Sequence, residues 1–221
     1  VKVIEALKSR KSIRVYKPDP VAPEVIREIV EAANRAPSWA NTQPWEVYVA
    51  GGAPLDNLRK RYLENFQKEI APAPEITIPA EWPEAHRERI NQLGAGRFAA
   101  LGIARDDREA RRKTTEMNFN FFGAPHVVFL CMDRNLTSWS LFDLGSFAMG
   151  FMLAAEEKGL NTIPAVMLVA YPELIRKELK IPEHLAIVMG IAFGYGDLES
   201  IHNQFDTPRR KIDEFLKLVG I

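Results

Sequence analysis

The chain has 221 residues, 47% apolar and 26% charged, which suits one sizeable soluble domain or two small ones. Its 29 basic side chains equal its 29 acidic ones, so the electrostatic footprint of a nucleic-acid binder is missing. The N-terminus lacks the uncharged core of a secretory signal, no run reaches about 18 apolar residues, and a single cysteine, Cys131, cannot form an intramolecular disulfide; the expectation is a cytoplasmic protein with no membrane span.

Residues 1–9, "VKVIEALKS", read as a short helix with Val3, Ile4 and Leu7 on one side. Pro23 opens a second helix at a favoured first-turn position, Ile26, Ile29, Val30 and Ala33 recur at helical spacing, and Pro37 closes it. "WEVYVAG" is a strand with a Gly-Gly stop, and 55–70 returns to helical periodicity. Pro72, Pro74, Pro79 and Pro83 then forbid a regular helix, so this stretch is expected to drape over the domain as a loop.

Helices near 84–100 and 106–121 follow, then the strand "APHVVFLCMD", where Cys131 reads as an inert packing residue. Residues 139–158 form a long helix that is apolar around most of its circumference, as in the middle of a structure or a subunit interface. "IPAVMLVA" and "LAIVMGIAFGYG" read as strands around the helix "PELIRKELK", and the tail as a short amphipathic helix. Helices with four or five dispersed strands indicate an α+β fold.

Most catalytic signatures are missing. There is no glycine-rich dinucleotide loop, no Walker motif, no His-Glu-x-x-His and no nucleophile elbow, and the four histidines are scattered. With neither a protein nucleophile nor a general base in view, an enzyme built on this chain needs a cofactor for its chemistry. Three segments stand out. In "SRKSIRVYKPDPV", Arg10, Lys11, Ser12 and Arg14 crowd a helix C-terminus, where cations are favoured anyway. In extended chain, Arg10, Ser12 and Arg14 would share one face and make a cationic wall suited to phosphate and carbonyl oxygens. "RAPSWANTQPWEVYV" packs two tryptophans, two prolines and several polar side chains into one connection, and "TPRRKIDEF" carries Arg209 and Arg210.

In this order, "R-x-S-x-R", "APS-x-x-N-x-QPW", "NTIPAVM" and "TPR-x-x-x-D-E-F" resemble the FMN-dependent nitroreductase family, and the resemblance covers essentially the whole chain. It implies a three-layer α+β sandwich with a central, mostly antiparallel sheet, in an intertwined homodimer with FMN at the subunit interface. Residues 1–221 would form one FMN-binding domain, with 71–105 as a lid over the substrate and 200–221 as an extension embracing the partner. Arg10, Lys11 and Ser12 would serve the ribityl and phosphate end of FMN, Arg14 the pyrimidine edge, and Arg209 would close over the phosphate. Arg210 is the less favoured neighbour.

The same resemblance places Pro37, Ser38, Asn41 and Gln43 against the flavin of the other subunit, with Trp45 in the core. Pro164, Ala165 and Val166 would run along the other side of the ring together with Met167, where some relatives carry Glu-Gly. Trp82, Phe98 and Phe122 are candidates for stacking on substrate. The implied activity passes hydride from NADH or NADPH through flavin N5 to a small electron-poor acceptor, a nitroaromatic or quinone, in alternating half-reactions. No metal and no catalytic side chain is required. The alternatives on the same fold are an FMN-binding sensor, a reductive dehalogenase and a flavin-cleaving enzyme. The Glu, Tyr and Lys set of iodotyrosine-dehalogenating relatives has no convincing copy here.

Overall fold

The structure is a computed structural model and describes residues 2–221, so Val1 of the first expected helix lies outside the described residues. Four strands, β1 (Glu46–Gly51), β2 (His126–Asp133), β3 (Asn161–Ala165) and β4 (Leu185–Gly194), form one antiparallel sheet in the spatial order β1-β2-β4-β3. The helices are α1 (Val3–Ser9), α2 (Pro23–Ala33), α3 (Gly52–Gln67), α4 (Glu84–Ala100), α5 (Arg108–Phe119), α6 (Ser138–Glu157) and α7 (Pro172–Leu179).

The period-2 alternation of a strand sets the layers. Along β2, Val127, Phe129 and Cys131 enter a core with Leu58 and Tyr62 of α3 and Ile175 of α7. Val128, Leu130 and Met132 enter the opposite core, with Ile29 of α2 and Phe147 and Phe151 of α6. The sheet is therefore the middle of three layers, buried on both faces, which explains why β2 reads as an unbroken apolar run. Between Leu130 and Cys131 the register shifts, leaving Val188 as an extra residue on β4.

Helix α6 covers the sheet with Leu144, Phe147, Phe151 and Ala155 but leaves Trp139 and Phe142 64% and 70% exposed. Burying a side chain of that size is worth roughly 2–3 kcal/mol, so its outer face is a strong candidate for further packing. Glu75 pins the proline-rich loop to the body: its carboxylate accepts from the Ile187 N–H and pairs with Arg134 and with the buried Arg176, the last at 2.9 Å. Helix α4 lies beyond that anchor and has no buried residue.

Two expectations are corrected. The tail forms only a single 3-10 turn at Ile212–Glu214. Its apolar residues do recur at helical spacing, but 206–221 are all exposed, and so short a helix is marginal without a packing partner. The expected strand over "IPAVMLVA" stops at Ala165 and becomes a 3-10 turn, Val166–Val169. The cause is Gly190 on β4: Leu168 folds over it so closely that a Cβ there would lie 2.6 Å from the Leu168 Cβ.

Candidate functional site: a cationic wall and a distant loop

After α1 the chain runs extended along the sheet margin. Ser12 forms a bridge with Thr162 on β3, and the Ile13 N–H donates to the Thr162 carbonyl at 3.1 Å. Ile13 is fully buried and Arg10, Ser12 and Arg14 are half-buried, but Lys11 and Val15 are half-buried too and Tyr16 is buried, so burial does not alternate strictly along the segment. Arg10, Ser12 and Arg14 are the residues of the expected wall. Asn203 fixes its far end, its Oδ1 accepting from the Arg14 N–H at 2.6 Å and its Nδ2 donating to the carbonyls of Val15 and Asp197.

The C-terminal segment returns to the same wall. Lys11 Nζ pairs with Asp206 at 3.1 Å, which occupies it. Burial, and then the nearby Arg209 guanidinium, push the Arg10 pKa below the ordinary arginine value, against the pull of Glu156. Arg10, near one end of the sequence, thus feels the charge of Arg209, near the other. Arg209 otherwise donates only to the carbonyls of its own turn, Thr207 and Pro208. Arg210 is satisfied locally, donating to the Glu214 carbonyl at 2.8 Å and lying 5.1 Å from the Phe215 ring centre.

Sequence reasoning missed two neighbours of Arg14. Arg97 of α4 and His202 both sit close enough to it for their charges to interact. Arg97 is pushed down to about 10, first by burial and then by Arg14. His202 is lowered by burial and then by Arg97 and Arg14. Arg97 Nε and Nη2 and His202 Nδ1 are buried without a hydrogen-bond partner, as is Thr162 Oγ1 next to Ser12. No local motif surrounds Arg97 in the sequence, so only the fold could reveal it.

The proline- and tryptophan-rich loop lies elsewhere. A 3-10 turn at Trp39–Asn41 carries Ala40, Asn41 and Gln43 at φ of 49°, 59° and 46°, a region disfavoured for side-chain-bearing residues. Local bonds hold it there: the Gln43 N–H donates to Ser38 Oγ at 3.0 Å, the Gln43 amide to the Asn41 carbonyl, and the Trp39 N–H to the buried Asp143 of α6. Trp39 meets Trp139 edge-on at 5.6 Å, and Pro37, Ser38, Trp39, Trp139, Phe142 and Asp143 line an apolar cleft of about 350 Å³. Trp45 is half-buried, its ring tilted against that of Phe147 at 5.1 Å, with its N–H given to Asn34.

Helix α6 measures the separation. The loop binds at Asp143, whereas Ser9, adjoining Arg10, donates to Glu156 at 2.8 Å. Thirteen residues of α-helix span about 20 Å. Within one chain, then, the loop and the wall do not form one site.

Pro164 and Ala165 are half-buried at the end of β3, opposite Ile191 and Gly190, and Val166 is exposed where the chain turns away. Of the lid aromatics, Trp82 is 43% exposed and lines a cleft of about 660 Å³ between α4 and the tail, shared with Arg209. Phe98 carries the Arg111 guanidinium 4.2 Å above its ring. Phe122 is only 4% exposed and belongs to the core. Cys131 is fully buried, and burial pushes its thiol up to about 12. Among the described residues no helix is long and apolar enough to cross a membrane.

The fold is an α+β sandwich with a central antiparallel sheet, and comparison with known proteins narrows the class. The nitroreductase family model matches residues 7–195. A 4-nitrobenzoate reductase of Pseudomonas putida is 32% identical over 96% of this chain and 93% of its own length. Nitroreductase NfnB of Mycolicibacterium smegmatis is 33% identical over 94% of this chain and 88% of its own length. The crystal structure of the FMN-dependent nitroreductase NfnB from Mycobacterium smegmatis in complex with NADPH superposes with a TM-score of 0.92 at 32% identity, covering 98% of both chains. The chain belongs to the nitroreductase family.

Proposed function

We propose that the protein is an FMN-dependent, NAD(P)H-oxidising reductase of nitroaromatic compounds that works as a homodimer. The observation carrying this reading is the return of the C-terminal tail to the N-terminal segment through the Lys11–Asp206 pair, which brings Arg209 near enough to Arg10 for its charge to act there with only partial carboxylate compensation. Such a pair suits a phosphate, which a guanidinium grips through two oxygens. The buried, unpartnered donors of Arg97, His202 and Thr162 at the same margin fit a polar ligand as well, because buried polar groups are rarely left unpaired. The residues present fit FMN.

When bound, FMN supplies the redox chemistry, taking two electrons from NADH or NADPH and yielding them to an electron-poor acceptor such as a nitroaromatic or quinone. Arg10, Ser12 and Arg209 hold its phosphate and ribityl end, with Lys11 at the margin through Asp206. Arg14 places a fixed positive charge at the pyrimidine edge, where negative charge develops, in a site partly closed to water. Pro164, Ala165 and Val166 offer main chain along the ring. Trp82 and Phe98 stand on the lid, 71–105, where an aromatic acceptor would enter. The acceptor class follows the relatives, whose names specify nitrobenzoate and nitrobenzene reduction.

The loop of Pro37, Ser38, Asn41 and Gln43 acts on the flavin of the second subunit. This follows from the separation of about 20 Å along α6, which one chain cannot close. It also gives the exposed Trp39, Trp139 and Phe142 a surface to cover, while the exposed apolar tail, with Phe215, Leu218 and Val219, becomes a strap around the partner.

The test is spectroscopic. Purified protein incubated with FMN and freed of excess should retain the flavin absorbance, bleach anaerobically with NADPH or NADH, and recover colour on adding a nitroaromatic. Protein that stays colourless after incubation sinks the reading.

A further inference from the structure

Four arginines approach the sheet margin, and they do so in two pairs. Each pair joins one arginine of the extended N-terminal segment to one from a distant part of the chain. Arg209 of the tail lowers the pKa of Arg10, and Arg14 lowers that of Arg97 of the lid helix α4, while Gly96 against the Phe205 ring and Asn203 on the Arg14 N–H bring α4 and Arg14 to the same turn. Like charges brought together in partly dry surroundings raise the free energy of the empty protein and are tolerated where an anion completes them. Nothing in the chain supplies that anion at the second pair. Nε and Nη2 of Arg97 are shielded from solvent without a hydrogen-bond acceptor, and the only side-chain bond of Arg14 runs from Nη1 to the Ser12 carbonyl at 3.0 Å.

The geometry holding Arg97 there is specific. At Gly96 a Cβ would lie 3.3 Å from the Phe205 ring, so the missing side chain lets α4 close onto the tail. The intervening turn, Ile201–Asn203, is locked by Asn203 to Arg14 and Val15. His202 fills the remaining side of the cluster with its Nδ1 also unpartnered, and the two arginines disfavour its protonated form. The cluster therefore holds Arg14, Arg97 and His202 within range of one another's charge, and no acidic group is among the influences on Arg97 or His202.

FMN has two centres that carry negative charge. One is the phosphate. The other is the pyrimidine edge, which gains a net charge of −1 when the ring takes two electrons and one proton. Two cationic pairs match two anionic centres. We propose that Arg97 is a positioning and electrostatic residue for the flavin, forming with Arg14 a second clamp, on the pyrimidine edge, that favours the reduced ring over the oxidised one. This rests on the FMN reading above. It also gives the lid a function beyond covering substrate, because α4 brings one half of the clamp and closure of the lid becomes coupled to the flavin's redox state.

The experiment compares wild-type, Arg97→Gln and Arg97→Lys holoenzymes by dye-equilibration redox titration and by FMN fluorescence titration. Since α4 contributes no buried residue, the substitutions leave the fold intact, which circular dichroism checks. Arg97→Gln is expected to weaken retention of reduced relative to oxidised FMN about tenfold, a fall of about 30 mV in the two-electron midpoint potential. Affinity for oxidised FMN should change by less than about threefold, and Arg97→Lys should recover most of the potential.

An unchanged midpoint potential in Arg97→Gln overturns the inference. If in that case KM rises for 4-nitrobenzoate but not for nitrobenzene, the cluster instead reads a substrate carboxylate. A wild-type protein that binds no FMN refutes the FMN reading itself, an outcome separable from failure of the variant alone.

Discussion

Replacing Glu75 by alanine tests how the lid is moored. Glu75 is 11% exposed and Arg176 4%, and the carboxylate also takes the Ile187 N–H and pairs with Arg134. Removing one member of a buried ion pair costs about 3–5 kcal/mol, because the remaining charge loses its compensation. Arg176 keeps the carbonyls of Pro182 at 2.6 Å and Leu185 at 3.0 Å, which places Glu75→Ala near the lower end, about 3 kcal/mol. For a domain of this size that is a fall in Tm of roughly 6–12 °C.

The sign of the pH dependence follows from the same contacts. Burial pushes the Glu75 carboxyl up, but the Ile187 N–H, Arg134 and Arg176 together outweigh it and hold its pKa below the ordinary glutamate value. A carboxylate depressed by folding contributes stability that is complete above the unfolded pKa and is lost as pH falls through the folded one. The gap between wild type and Glu75→Ala should therefore be full at pH 7 and narrow below about pH 4. Scanning fluorimetry from pH 3 to 8 measures it. A Tm difference under about 1 °C at pH 7, or one that widens towards acid, refutes the reasoning.

Other expectations concern the site. Arg10→Ala should weaken FMN binding tenfold to a hundredfold, about 1.5–3 kcal/mol for a charge-assisted bond, while leaving the FMN-free protein as stable or slightly more so, since a like-charge neighbour of Arg209 is gone; fluorescence titration and melting curves separate the two effects. Phe142→Asp, on the outer face of α6, should yield a folded protein that sediments as a monomer and has lost FMN, whereas a variant that stays dimeric and yellow would detach the loop from the interface. Cys131 should resist thiol reagents at pH 8 in the native state and react at once in denaturant, because burial keeps its pKa near 12. Rapid stoichiometric labelling of native protein would contradict that placement.

How legible this molecule is in its sequence depends on the range of the interaction concerned. The helical period of α2 is set by neighbours a few residues away, and the structure has it, whereas burial along "RKSIRVY" does not alternate strictly. Apolar spacing in the tail is equally local, yet the helix does not form, since the surface that would reward it is not within this chain. The 3-10 turn after β3 turned on Gly190, twenty-four residues on from Val166, whose missing side chain admits Leu168. Arg97 and His202 carry no spacing signal. Arg97 comes near Arg14 where Gly96 lets α4 approach Phe205, and His202 where Asn203 ties its turn to the Arg14 N–H.

The absence of an acid or base among the candidate residues is consistent with this arrangement. A chain with zero net charge has brought Arg209 within charge range of Arg10 and Arg14 within charge range of Arg97, with Glu156 and Asp206 as partial compensation. That crowding disfavours the empty protein and favours whatever anion arrives, so binding and folding are linked: saturating cofactor stabilises the fold by an amount that grows with the logarithm of its concentration over Kd. In the proposed site the same fixed charges would need no reorganisation when electrons enter a bound ring, and preorganised charge in a shielded site lowers a barrier without a proton transfer by the protein. Chemistry of this kind leaves its trace in where charges are held and how little water reaches them.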